Sequence, residues 1–204
     1  MSPQAAIVIP WDVWFVSWVL AALWTERTLK RVDRAQQMPY RVLSLIAFVL
    51  LLVWVVRDPS GRRIGGVPMP DFLAAQVWML PTSLNWAMVG LAAGGFLFCW
   101  WARLHLGRLW SSKVTRKVGH HVVDTGPYRI VRHPIYTGIL TAAAATALVK
   151  GTVHAILGFV LLLVAYAMKA RLEERFLQAE LGENEYASYR RRVPMLLPFG
   201  PTGA

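Results

Sequence analysis

The sequence predicts an all-α integral membrane protein with about five transmembrane helices, an outside N-terminus and a cytoplasmic C-terminus. The first indication is composition, because 56% of the 204 residues are hydrophobic and 10 are tryptophan, far from the average of soluble proteins. The second is a set of five apolar stretches, each helical in length although two are short for a full span. They cover residues 7–24, 40–56, 84–102, 135–149 and 153–170.

The distribution of positive charge is the third indication and predicts the orientation. Of the 22 Lys and Arg residues, 18 lie in residues 26–41, 103–134 and 169–204, whereas four lie in the two intervening connections. The positive-inside rule places the three basic segments in the cytoplasm. Because the net charge of +11 follows the topology, it does not indicate a nucleic-acid partner.

The connections and the first three helices look like scaffold. Residues 57–70 are rich in Gly and Pro and predict an irregular outer loop. Residues 71–80 are apolar but too short to span a bilayer, so we expect an interfacial or re-entrant piece. In the third helix, Gly90 and Gly94 are four residues apart with Gly95 beside them, a spacing that permits close helix packing or leaves room for a lipid chain.

Cysteine and metal chemistry are not indicated. Cys99 is the only cysteine and lies in the third apolar stretch, so an intrachain disulfide is impossible. His, Cys and carboxylate residues nowhere stand at metal-ligand spacing, and we expect no metal.

Residues 126–138 lie at the start of the fourth apolar helix and are rich in glycine, proline and polar residues. Pro134 suits the first turn of a helix, because its missing N–H would be unpaired there. His133 should therefore be extended, with its ring directed away from the helix. Arg132, together with the positive end of the helix, favours a carboxylate or phosphate ligand.

The fourth and fifth helices should form a tight hairpin around Gly151. Pro134 and Met168 lie 17 residues on either side of it, so both should reach the same membrane depth. One more turn places Glu173 and Glu174 beside the start of the fourth helix. Since adjacent helical residues point ~100° apart, only one carboxylate should face that helix fully.

Five sequence blocks stand in order over about the last 85 residues, and together they resemble the isoprenylcysteine carboxyl methyltransferase family, which is related to the phospholipid N-methyltransferases. The blocks are residues 121–128, residues 132–138, Glu173-Glu174, Leu181-Gly182 with Tyr186 and Tyr189, and residues 192–199. The first two helices carry no such resemblance.

The resemblance implies S-adenosylmethionine as methyl donor, bound on the cytoplasmic face and covered by the C-terminal tail. The sequence as a whole predicts a three-helix transmembrane scaffold over residues 1–102 and a cofactor-binding cytoplasmic loop, helical hairpin and C-terminal tail over residues 103–204, in one integrated domain. The cofactor-binding residues that the resemblance implies are His121, Val122, Val123, Gly126, Tyr128, Arg132, His133, Pro134, Tyr136, Glu173, Glu174 and Leu197.

The acceptor should be a lipophilic or prenylated molecule taken from the bilayer. If it is a carboxylate, Arg191 or Arg192 would hold it. The predicted catalytic residues are Arg191, Arg192, Glu173 and Glu174. An amine acceptor would instead need a Glu or His as general base. The resemblance favours carboxyl O-methylation over amine N-methylation, because residues 192–199 resemble the carboxyl methyltransferases most closely.

The sequence is compatible with two other functions. Sterol reductases that use NADPH resemble the same Arg-His-Pro-x-Tyr block, although their usual chain has more helices. A small membrane scaffold or transporter subunit would explain the basic loops but not residues 126–138.

Overall fold

The computed structural model describes residues 1–23, 28–31, 33–57, 63–107, 110, 115–117, 123–181 and 183–202. Within these ranges the chain is mainly helical. The helices are α1 (Pro3–Ala6), α2 (Val8–Ala21), α3 (Arg34–Leu52), α4 (Asp71–Ala74), α5 (Thr82–Leu106), α6 (Pro134–Lys150), α7 (Val153–Leu181) and α8 (Glu183–Arg192), with a 3₁₀ helix at Gly126–Arg129.

Four helical segments are long and apolar enough to cross a membrane. They are Pro3–Ala21, formed by α1 and α2, then α3, α5 and the first 27 residues of α7. Helix α6 is apolar but has only 17 residues, or about 25 Å at 1.5 Å per residue. Length and composition thus agree with an integral membrane protein of four to five spans, as predicted.

Helix α6 is the inner helix of the bundle. Of its 17 residues 13 are buried, many of them Ala, and small residues let neighbouring helices approach. Gly95 on α5 faces Gly138 so closely that an added Cβ would lie 2.6 Å from the Gly138 carbonyl oxygen. Gly90 and Gly94 have open space beside them, so close packing is confirmed at Gly95 only.

Residues 75–81 pack across the tip of the α6–α7 hairpin. Helix α6 ends at Gly151 with a left-handed backbone, φ +57°, which glycine adopts readily. The Val77 amide donates to the Gly151 carbonyl at 2.7 Å, and the Trp78 indole donates to the Leu148 carbonyl at 2.9 Å. The segment expected to be interfacial or re-entrant therefore lies across the hairpin tip.

Two buried polar side chains at the same tip cap the end of α3. The Lys150 Nζ atom donates to the carbonyls of Leu51 and Val53, each at 2.7 Å. The His154 Nδ1 atom donates to the Leu50 carbonyl at 2.8 Å. The Leu50 and Leu51 carbonyls lie in the last turn of α3, where carbonyls lack a partner within the helix, so the two side chains attach the end of α3 to the hairpin.

Short strands lie in the connections between the helices. Strand β1 (Thr28–Arg31) pairs antiparallel with β4 (Thr115–Lys117), and β2 (Val55–Arg57) pairs with β3 (Arg63–Gly66). The β1–β4 pair joins two connections that the basic-loop pattern assigned to one side of the membrane. Strand β4 lies in the connection that follows α5, and residues 118–122 of this connection lie outside the described ranges.

Candidate active site

The approach to α6 is fixed by contacts with α5 and α8. Gly126 has φ +57°, and an added Cβ would lie 2.7 Å from the His105 ring, so only glycine suits this position. Two residues later Tyr128 is buried, and its carbonyl accepts a hydrogen bond from the Tyr189 hydroxyl at 2.7 Å. Burial raises the pKa of Tyr189, so its phenol stays protonated and acts as the donor.

Arg132 forms a buried ion pair with Glu174 where the start of α6 meets the C-terminal part of α7. We call this place the entrance. Its Nε donates to Glu174 Oε1 at 2.7 Å and its Nη2 to Oε2 at 3.3 Å. Its Nη1 donates to the carbonyls of Arg190, at 2.9 Å, and Val193. Four of its five N–H donors are thus used within the chain, and His133 Nε2 lies 3.0 Å from Glu174 Oε1.

The C-terminal tail packs back onto this entrance, as predicted. The amide of Arg132 donates to the Pro194 carbonyl at 2.8 Å, and that of His133 to the Met195 carbonyl at 3.1 Å. The Thr137 hydroxyl donates to the Leu196 carbonyl at 2.6 Å. The N-terminal end of α6 therefore meets the carbonyls of the tail.

Glu173 contacts the other side of the entrance. Its Oε2 accepts a hydrogen bond from the Tyr136 hydroxyl at 2.6 Å and lies 3.8 Å from His133 Nδ1. The predicted position of Glu173 and Glu174 beside the start of α6 is confirmed. The expectation that only one carboxylate faces α6 is wrong, because His133 precedes the helix while Tyr136 lies in its first turn, and each reaches a different carboxylate.

The prediction that the His133 ring points away from the helix is wrong. Its backbone is outside the α region, φ −123° and ψ 63°, as the following proline requires. The ring, however, stacks on Tyr136 with centres 5.2 Å apart and planes at 4°. It thus lies along the first turn of α6 rather than away from it.

The other predicted residues fall into three groups. Pro134 is buried in α6, and Val123 is half-buried against the core. Leu197 is 69% exposed on the tail, Arg191 is exposed, and Arg192 pairs with Asp124 at 3.4 Å with its side chain 65% exposed. His121 and Val122 lie outside the described residues. Among the described residues, no group of three His, Cys, Asp or Glu could hold a metal ion.

Arg190 is the arginine of α8 that faces the entrance, and the sequence prediction overlooked it. Its Nε is buried, has no hydrogen-bond partner among the described residues, and lies 3.9 Å from Glu174 Oε2. Helical periodicity provides a signal, because Arg190 follows the buried Tyr186 by four residues and so shares its face. A guanidinium donor with no hydrogen-bond partner in the described part of the chain, beside the Glu174 carboxylate, suits a ligand that carries both charges.

Comparison with known proteins gives one family. The model of the isoprenylcysteine carboxyl methyltransferase (ICMT) family matches residues 88–179. A methanethiol S-methyltransferase of Mycobacterium tuberculosis is 31% identical over 191 residues, which cover 86% of this chain and 68% of that protein.

Two further relatives match shorter parts of the chain. Protein-S-isoprenylcysteine O-methyltransferase B of Arabidopsis thaliana is 33% identical over 43% of this chain and 44% of its own length. The cobalt-zinc-cadmium resistance protein CzcN of Cupriavidus metallidurans is 31% identical over 59% of this chain and 51% of its own length. The chain thus spans about half to two thirds of the length of these relatives.

Proposed function

Because this chain belongs to the isoprenylcysteine carboxyl methyltransferase family, we propose that it transfers a methyl group from S-adenosylmethionine to a lipophilic acceptor. One observation carries the proposal. At a single end of the α6–α7 hairpin, His133 lies beside both Glu173 and Glu174, and the buried Nε of Arg190, which has no hydrogen-bond partner among the described residues, lies 3.9 Å from Glu174 Oε2. The basic-loop pattern supports placing this end at the cytoplasmic face.

The charges of S-adenosylmethionine fit these residues. The cofactor carries a carboxylate, an ammonium and a sulfonium group, together with ribose hydroxyls. We assign the carboxylate to Arg190 rather than to Arg132, because Arg132 has only one N–H left. Glu173, whose side chain is 26% exposed against 7% for Glu174, suits the ammonium or the ribose hydroxyls. Binding of the cofactor by His121, Val122 and Val123 stays a prediction.

The remaining residues position the reactants. Bound S-adenosylmethionine supplies a methyl group activated by the neighbouring sulfonium. The Arg132–Glu174 pair holds α6, α7 and the tail together, so the tail covers the site and excludes water. Methyl transfer is a displacement that disperses charge, and orientation in a dry site supplies most of its acceleration. A covalent nucleophile is not required.

The acceptor that the sequence analysis placed first is a prenyl-type carboxylate. Arg191 and Arg192 were predicted to hold it. Both side chains are exposed on α8, and Arg192 already meets Asp124, so we leave them out of the catalytic set.

A small thiol is the second candidate acceptor. The coverage of the relatives favours it, because the match to a methanethiol S-methyltransferase extends over 86% of this chain, whereas the isoprenylcysteine O-methyltransferase match covers 43%. Carboxylates and thiols form different products, an ester and a thioether.

Ligand titration and labelled methyl transfer test the proposal. Detergent-purified protein should bind S-adenosylmethionine and S-adenosylhomocysteine but not NADPH. NADPH binding alone would indicate a reductase, and binding of none of the three would indicate a scaffold. Incubation with isotopically labelled donor and either an N-acetyl-S-prenylcysteine, an alkanethiol or an aminophospholipid should then identify the acceptor class, since only the ester releases its label in mild base.

A further inference from the structure

The C-terminal tail leaves α6 in a turn that exposes two large apolar side chains. Leu197 is 69% exposed and Phe199 is fully exposed. The Gly200 amide closes the turn by donating to the Leu197 carbonyl at 2.9 Å. We call residues 197–200 the tail turn. Because large apolar side chains gain free energy when they leave water, the tail turn favours contact with an apolar phase.

The backbone of the tail turn does not suit a phenylalanine. Among the described residues other than glycine, Phe199 alone has a positive φ, +62°. Pro198 and Phe199 occupy the second and third positions of the turn, and a type II turn needs a positive φ at the third position, which glycine normally supplies. A bulky residue there is an outlier. Since the Phe199 ring is fully exposed, a contact outside the chain must compensate for this conformation.

The tail turn lies next to the side of α6 that other helices leave open. Of the 17 residues of α6, 13 are buried, and the others are Thr137, Thr141, Ala144 and Leu148. Their spacing places them on one face of the helix, which meets lipid in a membrane bundle. The Thr137 hydroxyl, at the start of this face, donates to the Leu196 carbonyl at 2.6 Å. The tail therefore crosses α6 on its lipid-facing side, and the tail turn begins at the next residue.

Positive charge precedes the tail turn along the chain. Arg191 is exposed near the end of α8, and the side chain of Arg192 is 65% exposed. The tail turn starts five residues after Arg192. Exposed leucine and phenylalanine beside arginine are typical of segments in a membrane interface, where apolar side chains lie among acyl chains and cations meet anionic headgroups. This charge favours a lipid surface over an apolar protein surface.

We propose that the tail turn is a membrane anchor. Leu197 and Phe199 insert among the lipid acyl chains beside the start of α6, while Arg191 meets anionic headgroups. The partner of this surface is the bilayer that surrounds the helices. Insertion removes the two apolar side chains from water and holds Phe199 in its unfavourable backbone conformation.

The anchor couples the bilayer to the donor site, a consequence that rests on the proposed function. The residues just before the tail turn accept hydrogen bonds from the amides of Arg132 and His133, so they cover the entrance. A tail turn held in the membrane keeps this cover in place. Without the anchor the cover opens more often, and a bound cofactor dissociates faster. The bilayer thus helps to retain the cofactor without contacting it.

Fluorescence quenching locates the tail turn. Phe199→Cys is labelled with bimane, whose rings take the place of the phenyl ring, and is reconstituted in nanodiscs of phosphatidylcholine and phosphatidylglycerol. Cys99 is buried, so wild type measures the background labelling. A nitroxide on the lipid acyl chain should quench this probe more strongly than a nitroxide on the headgroup. Arg191→Cys is the control, because it is exposed on the charged α8, and it should show the reverse order.

Dissociation of S-adenosylhomocysteine from the same nanodiscs measures the coupling. Phe199→Gly is the decisive variant, because glycine relieves the backbone at φ +62° while the ring is lost. It should release the ligand about tenfold faster than wild type, as expected on losing a partly buried phenylalanine. Phe199→Leu should restore most of the slow release. Pro201→Ser changes an exposed residue just past the tail turn and should behave as wild type.

The two experiments separate the anchor from the proposed function. Quenching of the Phe199 probe by aqueous iodide but by neither lipid would overturn the anchor. So would protection from all three quenchers, which would indicate a protein partner or a second copy of the chain. Unchanged or slower release from Phe199→Gly would overturn the coupling. A wild type that binds no S-adenosylhomocysteine would reject the proposed function, while the quenching would still decide whether the tail turn is anchored.

Discussion

Arg132 Nε donates to Glu174 Oε1 at 2.7 Å, and this bond joins the start of α6 to the end of α7. Both side chains are almost fully buried, at 4 and 7% exposure. The same guanidinium holds the carbonyls of Arg190 and Val193, so a single side chain connects both helices of the hairpin with α8 and the tail. The pair is thus a structural clasp beside the proposed ligand site.

Loss of the Glu174 charge should destabilise the protein. Glu174→Gln leaves the Arg132 cation buried without its counter-charge, and breaking a buried pair costs about 3 to 5 kcal/mol. Thermal unfolding in detergent should show a clear fall in Tm. Glu173→Gln serves as the matched variant, because its side chain is more exposed, and it should lower methyl transfer with little change in Tm. Equal Tm values for both variants would contradict the clasp.

Arg190 should contribute to cofactor affinity whereas Arg191 should not. Arg190→Ala removes the donor that we assign to the cofactor carboxylate and should weaken S-adenosylhomocysteine binding by about 1.5 to 3 kcal/mol. Calorimetric titration of both variants measures the difference. Arg191→Ala is the control, since its side chain is exposed on the same helix. Equal losses in the two variants would remove Arg190 from the site.

The Thr137 hydroxyl should hold the tail in place. Thr137→Val removes its bond to the Leu196 carbonyl, which should cost about 1 kcal/mol of tail docking and so release the cofactor several-fold faster. Limited proteolysis and stopped-flow dissociation would measure the two effects. Thr141→Val is the control, because that hydroxyl bonds to the Thr137 carbonyl within α6 and does not contact the tail. Identical proteolysis of both variants would argue against this role.

Substitution of Gly95 should damage the helix bundle, whereas the same change one residue earlier should not. Gly95→Ala places a methyl group 2.6 Å from the Gly138 carbonyl oxygen, so α5 and α6 must separate, at a cost of about 1 to 3 kcal/mol. Gly94 has no atom within 4 Å of an added Cβ, and Gly94→Ala should leave Tm unchanged or raised. A chemical denaturation series in detergent would compare them, and equal sensitivity would contradict the observed α5–α6 contact.

The hairpin and its acidic end could be predicted from the sequence. Helix length, the turn at Gly151 and the depth of Glu173 and Glu174 follow from a fixed rise per residue, and the structure confirms the contacts with Arg132, His133 and Tyr136. Each of these inferences uses only local geometry or composition.

The sequence by itself determined the number of apolar helices, the hairpin and the segment that approaches its ligand end, because a helix in lipid satisfies its backbone hydrogen bonds locally. Only the tertiary structure decided that Arg132 is occupied by Glu174 and that Gly95 rather than Gly94 packs closely. Those facts depend on how each helix is rotated about its axis. In helices that are apolar all round, periodicity gives little information about that rotation, so distant packing partners set it.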